Sequence, residues 1–168
     1  MQDIASEKND RREKFVSSIT HQTGITEAMI ADLVATFYVR VRRDPLLSVV
    51  FERVKDWDDH LSRLRDFWSS VVLMSGRYYG QPMLAHTSLP IYPRHFDRWL
   101  ALFEEAATDV CPPAAAAHFV EKARRIADSF EMGLATQRGH IAAPRHCFRP
   151  SLPLVSAERN DGLAKADE

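Results

Sequence analysis

Apolar residues recur at helical spacing in four stretches of this 168-residue chain, and this pattern limits the fold more than any other feature. The first stretch starts after Thr26, a good N-cap, and ends before Pro45, because proline favours an extended residue before it. No stretch shows sustained strand alternation, so the sequence predicts an all-α domain. Six positions of the first stretch fall on one helical face: Ile30, Leu33, Val34, Phe37, Tyr38 and Val41.

Three more amphipathic helices are predicted downstream. The second covers residues 57–75 and stops at Gly76, since a glycine often follows the last helical turn. The third begins near Pro93, a favourable first-turn residue, and ends before a proline pair. The fourth covers residues 113–138. The predicted inward faces are Trp57, His60, Leu61, Leu64, Phe67, Trp68, Val71 and Val72, then Phe96, Trp99, Leu100, Phe103, Ala107 and Val110, then Phe119, Ala123, Ile126, Ala127, Phe130 and Leu134.

The connection between the second and third helices, residues 77–93, reads RYYGQPMLAHTSLPIYP. A connection this long inside a compact domain is usually functional or disordered. This one carries too many apolar residues for simple disorder. Pro82 can start a short turn of helix that carries Met83 and His86. We therefore expect an ordered segment that contributes to a site.

Polar-tipped rings are expected to point into the same interior. Tyr38, His60 and Trp99 lie on inward helix faces, and His86 lies in the apolar connection. An unpaired buried polar group costs about 1–3 kcal/mol, so each ring needs a partner or a ligand. Taken singly, an inward histidine is more often a packed core residue than a ligand, and an inward Tyr or Trp is normally core. Surface or capping roles explain the two other histidines in helix first turns, His95 and His118.

Taken together, these residues resemble the truncated haemoglobins, and most closely their third group. The resemblance spans about residues 26–138. It rests on Tyr38, Phe51, His60, the pair Phe67-Trp68, the string QPMLAH that ends at His86, and the string HFDRWLALFEE that bears Trp99. The glycine pairs that mark the other two groups are missing, which favours the third group and removes no functional residue.

The resemblance implies a two-over-two helical sandwich around one haem b, iron protoporphyrin IX. It implies that His86 is the proximal iron ligand and that Tyr38, His60 and Trp99 stabilise a ligand on the distal side. Whether His60 also binds iron in the resting state stays open. Cofactor contacts are implied for Phe51, Leu64, Phe67, Trp68, Met83, His86, Ile91, Phe96 and Trp99.

The distal donors predict tight binding of oxygen with slow release, which suits neither transport nor storage. O2, NO, CO, cyanide and peroxide are the expected small ligands. The first hypothesis is a redox-active haem protein with NO dioxygenase or peroxidase-like activity and an unidentified reductase as partner. The alternative is a haem-based sensor or binding module that signals to a partner.

Composition separates three regions. Residues 1–24 form a polar extension expected to carry one helix over residues 5–20, residues 25–139 form the globin domain, and residues 140–168 form a tail expected to be disordered. The formal net charge is −1 with no basic stripe, which argues against nucleic-acid binding.

Several partners and locations are also disfavoured by the sequence. It has neither a membrane-span candidate nor a secretory signal, so we expect no membrane association and a cytoplasmic location. Cys111 and Cys147 match no metal-ligand spacing and are expected to be reduced thiols. A monomer or a weak homo-oligomer is expected.

Overall fold

The structure, a computed structural model, describes residues 20–139 continuously and, before them, residues 7, 10, 11, 14, 17 and 18. The described residues before Gly24 are helical up to Thr23, and the predicted tail, residues 140–168, lies outside the described residues. No strand occurs in the described part of the chain, and the predicted all-α class is confirmed. After Gly24 the helices are α1 (Glu27–Arg43), α2 (Ser48–Phe51), α3 (Trp57–Val72), α4 (Pro82–Thr87), α5 (Pro93–Val110) and α6 (Pro113–Gln137).

The helix ends follow local chemistry that is readable in the sequence. The Thr26 hydroxyl accepts the Met29 N–H at 3.2 Å, and the Asp56 carboxylate accepts the Asp59 N–H at 3.0 Å, so both side chains satisfy first-turn donors. Prolines begin α4, α5 and α6, where their missing N–H costs nothing.

Two features of the helix pattern were not predicted. The second predicted helix, α3, ends at Val72 rather than at residue 75, because Met74 takes a φ of 52° that breaks the helical backbone. The four-residue helix α2 is also new, since so short an element leaves no periodic signal.

The helices pack as two pairs that face each other, α1 with α3 and α5 with α6, and α1 also packs on α5. The predicted apolar faces meet in the interior, where Phe37, Trp68, Phe103 and Phe119 are fully buried. The rings of Trp68 and Phe103 stack with centroids 4.8 Å apart. This arrangement confirms the predicted two-over-two sandwich.

The apolar interior divides into two clusters. The main core is built from α1, α3, α5 and the first half of α6. The small cluster has four buried members: Ile91, Phe96, Ala127 and Leu134. The short helix α4 has no fully buried residue, and its principal helix neighbour is α6. The small cluster and α4 therefore contain far fewer buried apolar residues than the main core does.

Two expectations about the rest of the chain can be compared with the structure. Cys111 is a free, buried thiol, and burial raises its pKa to about 11, so it stays protonated at neutral pH. Cys147 lies outside the described residues. Within the described helices, none is long and apolar enough to cross a membrane.

Candidate functional site

A cavity of about 410 Å³ is lined by residues of both the main core and the small cluster. Its wall is mostly aromatic and aliphatic. Of the residues predicted to contact a cofactor or a ligand, the wall includes Tyr38, Phe51, His60, Leu64, Phe67, Trp68, His86, Ile91, Phe96 and Trp99. The structure thus brings together side chains that lie far apart in the sequence. Tyr38, His60 and Trp99 are called the distal group below, and residues 82–92 the proximal segment.

Tyr38 projects from α1 and is only 5% exposed. Burial raises the pKa of its hydroxyl far above the usual value, and a hydrogen bond from the Trp99 side chain offsets this only in part. Because an indole nitrogen can only donate, the tyrosine oxygen is the acceptor of that bond. Tyr38 therefore keeps its proton at any physiological pH.

His60 lies one turn into α3 and is half-buried. Its ring meets the Tyr38 ring edge-on, with centroids 5.7 Å apart. Burial lowers the pKa of His60, Arg63 and His86 act in the same direction, and Asp59 opposes them, so the ring is neutral at neutral pH. Its Nε2 atom is buried and has no hydrogen-bond partner among the described residues. A ligand in the cavity would satisfy it.

Trp57 packs against His60 and is not among the residues that line the cavity. The two rings meet edge-on at 5.6 Å, and Trp57 also stacks on Phe51 at 6.2 Å. The Arg42 guanidinium lies over the Trp57 ring, 4.8 Å from its centroid. Because aromatic neighbours hold the imidazole on several sides, its position is well determined.

Trp99 is held by the main core. Its indole stacks on Phe103, with centroids 5.2 Å apart, and meets Phe37 edge-on at 5.3 Å. The apolar part of the wall on α3 comes from Leu64, Phe67 and Trp68. The distal group therefore stands on long helices whose other faces form the core.

His86 projects from α4 and is half-buried. Its Nδ1 lies 2.6 Å from the Pro82 carbonyl oxygen. Because a carbonyl can only accept, Nδ1 carries the proton and Nε2 keeps a free lone pair. The ring also packs against Phe130 of α6, with centroids 4.8 Å apart. An imidazole with this tautomer and a fixed orientation is suited to binding a metal.

Met83 is the predicted contact residue that the structure does not bring to the cavity. Its side chain turns onto α6 instead, where Gly133 leaves room for it. A Cβ atom at Gly133 would lie 2.6 Å from the Met83 methyl carbon. Met83 thus links α4 to α6.

Four polar residues of the cavity wall were missed by the sequence reasoning: Arg53, Arg63, Tyr78 and His95. Arg63 follows His60 by three residues and shares its helix face, a spacing that could have identified it. The other three offered no such signal. Arg53 follows the unpredicted helix α2, and Tyr78 lies in a coil.

His95 has the capping role that was expected but not the surface position. Its Nδ1 accepts the Tyr92 N–H at 3.0 Å, and the residue is only 7% exposed. Capping turns the ring back along α5 and inward, which brings it to the cavity wall.

Tyr78 is positioned by three neighbours. Its N–H donates to the Ser70 hydroxyl at 2.9 Å, and its ring meets Phe67 edge-on at 5.2 Å. A Cβ atom at Gly80 would collide with the Tyr78 hydroxyl, so only glycine leaves that group its place. The phenol is therefore a fixed part of the cavity wall.

The chemistry of this wall fits a flat, largely apolar prosthetic group that carries its own metal. In the described part of the chain, no cluster of three or more His, Cys, Asp or Glu side chains could hold a bare ion. A single imidazole with a free lone pair, at His86, and a buried orphan nitrogen, at His60, share one cavity. These residues fit haem, whose iron needs only axial ligands from the protein.

Comparison with known proteins agrees with this geometry. The model of the family described as "Bacterial-like globin" matches residues 18–131. Group 3 truncated hemoglobin ctb of Campylobacter jejuni is 33% identical over 122 residues, which cover 69% of this chain and 96% of that protein.

Two solved structures share the fold. Group III truncated hemoglobin from Campylobacter jejuni matches with a TM-score of 0.62 at 33% identity, covering 69% of this chain and 96% of that one. The hemoglobin of the thermophilic phototrophic bacterium Chloroflexus aurantiacus matches with a TM-score of 0.56 at 27% identity, covering 67% and 95%. Because the family model spans most of the chain and the Campylobacter relative is matched over nearly its whole length, this chain belongs to the bacterial-like globins as a haem-binding, group 3 truncated haemoglobin.

Proposed function

We propose that this globin holds a diatomic ligand tightly at the distal group and uses it in redox chemistry with nitric oxide or peroxide, rather than in oxygen transport. The observation that carries the proposal is the convergence of Tyr38, His60 and Trp99 on a cavity that His86 also lines. An unidentified reductase, a cytoplasmic location and a monomeric or weakly oligomeric state belong to the same proposal.

His86 is the proposed axial ligand. Haem supplies an iron that accepts one imidazole and leaves a sixth position for a diatomic ligand. The bond from Nδ1 to the Pro82 carbonyl, 2.6 Å, directs the Nε2 lone pair of His86 away from that carbonyl. A hydrogen bond of this kind also raises the basicity of the coordinating nitrogen and fixes the ring plane.

The Tyr38 hydroxyl is the proposed principal donor. It stays protonated because burial raises its pKa, and its oxygen already accepts a bond from Trp99. The O–H bond can then point into the cavity. A bond to a polarised ligand that is shielded from water contributes about 1.5–3 kcal/mol. That free energy slows ligand escape by about tenfold to a hundredfold, which favours retention and reaction over transport.

His60 is the proposed second distal contact. Its lowered pKa keeps the ring neutral, so Nε2 can donate or accept according to the tautomer. That atom is buried without a partner among the described residues, and a ligand in the cavity would pair with it. Pairing a buried polar atom recovers part of its desolvation cost, which would add to ligand affinity.

The rim and wall suit an anionic, non-covalently held haem b. Arg53, Arg63, Tyr78 and His95 are the cationic or hydrogen-bonding residues that would hold the two propionates, and no carboxylate lies among the wall residues to oppose them. Among the described residues that line the cavity there is no cysteine to form a thioether link to the porphyrin. This supports haem b rather than a covalently attached form.

Visible spectroscopy of His86→Gly tests the axial role. The wild-type protein should carry haem at a ratio near 1:1 with a strong Soret band. The variant should lose the ferrous spectrum of an imidazole-ligated globin and regain it when imidazole is added. His21→Ala, a change at an exposed histidine outside the cavity, should leave the spectrum intact. A wild-type ferrous spectrum in His86→Gly without imidazole would refute the proposed ligand.

Single-turnover kinetics test the redox role separately. The oxygen-loaded protein is mixed with nitric oxide, and the ferric protein is mixed with peroxide and a reductant. Both rates are compared with that of free haem. A clear acceleration in at least one reaction is expected. Rates no better than those of free haem would refute the redox proposal and favour the sensor hypothesis, while leaving the axial ligand unaffected.

A further inference from the structure

Arg138, the residue that follows α6, reaches back to the proximal segment. Its Nη1 donates to the Ile91 carbonyl at 2.8 Å and its Nη2 donates to the Leu89 carbonyl at 3.2 Å. The same guanidinium lies over the Tyr92 ring, 5.3 Å from the centroid. One side chain therefore holds the segment that joins α4 to α5 by two carbonyls and a ring.

This attachment leads directly to His86. The Leu89 N–H donates to the His86 carbonyl at 3.1 Å, and the Leu89 carbonyl is one of the two that Arg138 holds. Both Leu89 and Ile91 also line the cavity. A movement of the segment away from α6 would therefore be passed on to His86 through one hydrogen bond and a short piece of backbone.

Helix α4 depends on such attachments because it is short. It has six residues and no fully buried side chain, and a helix of this length has little stability of its own. Two contacts with α6 hold its face: the ring of Phe130 against His86 at 4.8 Å, and Met83 seated at Gly133. Arg138 supplies the third contact, beyond the C-terminal end of α4.

We propose that Arg138 is a positioning residue that sets the orientation of the His86 imidazole toward the haem iron. The inference rests on the proposed axial role of His86. A guanidinium suits this task because its planar fork donates to two carbonyls while its face lies on an aromatic ring. A lysine ammonium would donate at one point but could not reproduce the fork and the stacking together.

Resonance Raman spectra of the ferrous, ligand-free holoprotein test the inference, because the iron–histidine stretching band reports the orientation and hydrogen bonding of the axial imidazole. Arg138→Met should keep the Soret band and the 1:1 haem content but shift or broaden the iron–histidine band. Haem transfer to an acceptor apoglobin should become about twofold to fivefold faster. For Arg138→Lys, the iron–histidine band and the rate of haem transfer should both lie between those of Arg138→Met and those of the wild type.

Arg125→Met is the matched control. Arg125 belongs to α6, the helix that Arg138 follows, its side chain is 71% exposed, and it pairs with Glu121. This variant therefore removes a cation without touching the proximal segment. If Arg138→Met and Arg125→Met both show the wild-type iron–histidine band, the positioning role of Arg138 is refuted. The axial role of His86 is then unaffected. Absence of an iron–histidine band in the wild-type protein itself would overturn the axial role, and the inference with it.

Discussion

The distal group and the proximal segment meet the same cavity but are supported in different ways. Tyr38, His60 and Trp99 project from α1, α3 and α5, helices of 16 to 18 residues whose other faces form the main core. His86 projects from the six-residue α4, which has no fully buried residue. Stability on the distal side therefore comes from burial, whereas on the proximal side it comes from a few hydrogen bonds and the neighbouring helix α6.

Substitutions on the two sides should therefore have different effects. A change behind the distal group should be felt as lost fold stability, because it opens a cavity in the main core. A change behind the proximal segment should alter haem retention and His86 geometry with a smaller cost in stability. The first prediction below tests this division directly, and the three after it test single residues, in order of decreasing expected effect.

Phe37→Ala and Phe130→Ala apply the same substitution to the two sides. Phe37 is fully buried and contacts Tyr38, Trp99 and Phe103, so its loss should lower the free energy of unfolding by about 3–5 kcal/mol. Phe130 is half-buried against His86, and its loss should cost about 1–2 kcal/mol. Urea unfolding of the holoprotein measures both values. Equal losses would contradict the division between the two sides.

Tyr38→Phe removes the proposed principal donor and keeps the ring. The oxygen dissociation rate should rise about tenfold to a hundredfold, since one hydrogen bond to a polarised ligand is lost. Stopped-flow displacement of oxygen by carbon monoxide measures that rate. Tyr92→Phe, at the half-exposed tyrosine of the proximal segment, is the matched control and should leave the rate unchanged. An unchanged rate in Tyr38→Phe would mean that Trp99 or His60 supplies the dominant bond.

Arg63→Met removes a cation from the cavity wall. Haem loss to an acceptor apoglobin should accelerate about twofold to fivefold, because a solvent-exposed ion pair contributes at most about 1 kcal/mol. The Arg63 guanidinium also pairs with Asp59, through Nε at 2.9 Å, and that pair orients it. Arg65→Met, on the same helix but outside the wall, is the control. Equal haem loss in the two variants would exclude Arg63 as a propionate contact.

His118→Gln should reduce the amount by which the free energy of unfolding falls at acidic pH. Burial lowers the pKa of His118, with Lys122 acting in the same direction, Glu121 opposing and Arg125 again lowering it. The unfolded chain therefore binds a proton more readily than the folded protein does, so the free energy of unfolding falls as the pH drops below about 6.5. Urea midpoints at several pH values measure this small effect. If the urea midpoint of the variant changes with pH as much as that of the wild type, the prediction is wrong.

Comparison with His118 shows how the unpaired Nε2 atom of His60 should be interpreted. Both residues have a buried Nε2 without a hydrogen-bond partner among the described residues, but only His60 lines the cavity. An orphan nitrogen is therefore not a ligand signal by itself. At His60 the orphan nitrogen does indicate a ligand, because Tyr38 and Trp99 line the same cavity.

Much of the fold was predictable because it depends on local periodicity and on helix ends. The face that contains Phe37 and Val41 repeats at helical spacing, and both residues are fully buried as predicted. Thr26 caps its helix as expected. The predicted end of α3 was wrong by three residues, since the left-handed conformation of Met74 is unusual for that residue type.

The candidate site was predictable only where a helix face or a recognisable motif carried it. Tyr38, His60 and Trp99 stand on inward faces, and the proline-initiated turn that carries His86 was also expected. The positions of Arg53, Tyr78 and His95 in the cavity wall were not expected. Met83 was expected at the cavity, but its side chain packs on α6 instead. These placements depend on how coils and short helices pack against distant elements, and single-sequence patterns do not encode such packing.

The sequence alone thus determined which side chains share a helix face, where most helices begin and end, and that His86 lies on a short turn after Pro82. Tertiary packing sets which faces meet around one cavity and what holds the short helix in place. The Arg138 contacts to the Leu89 and Ile91 carbonyls show why. They join parts of the chain that lie far apart in the sequence, and only packing of α6 beside the proximal segment brings them within bonding distance.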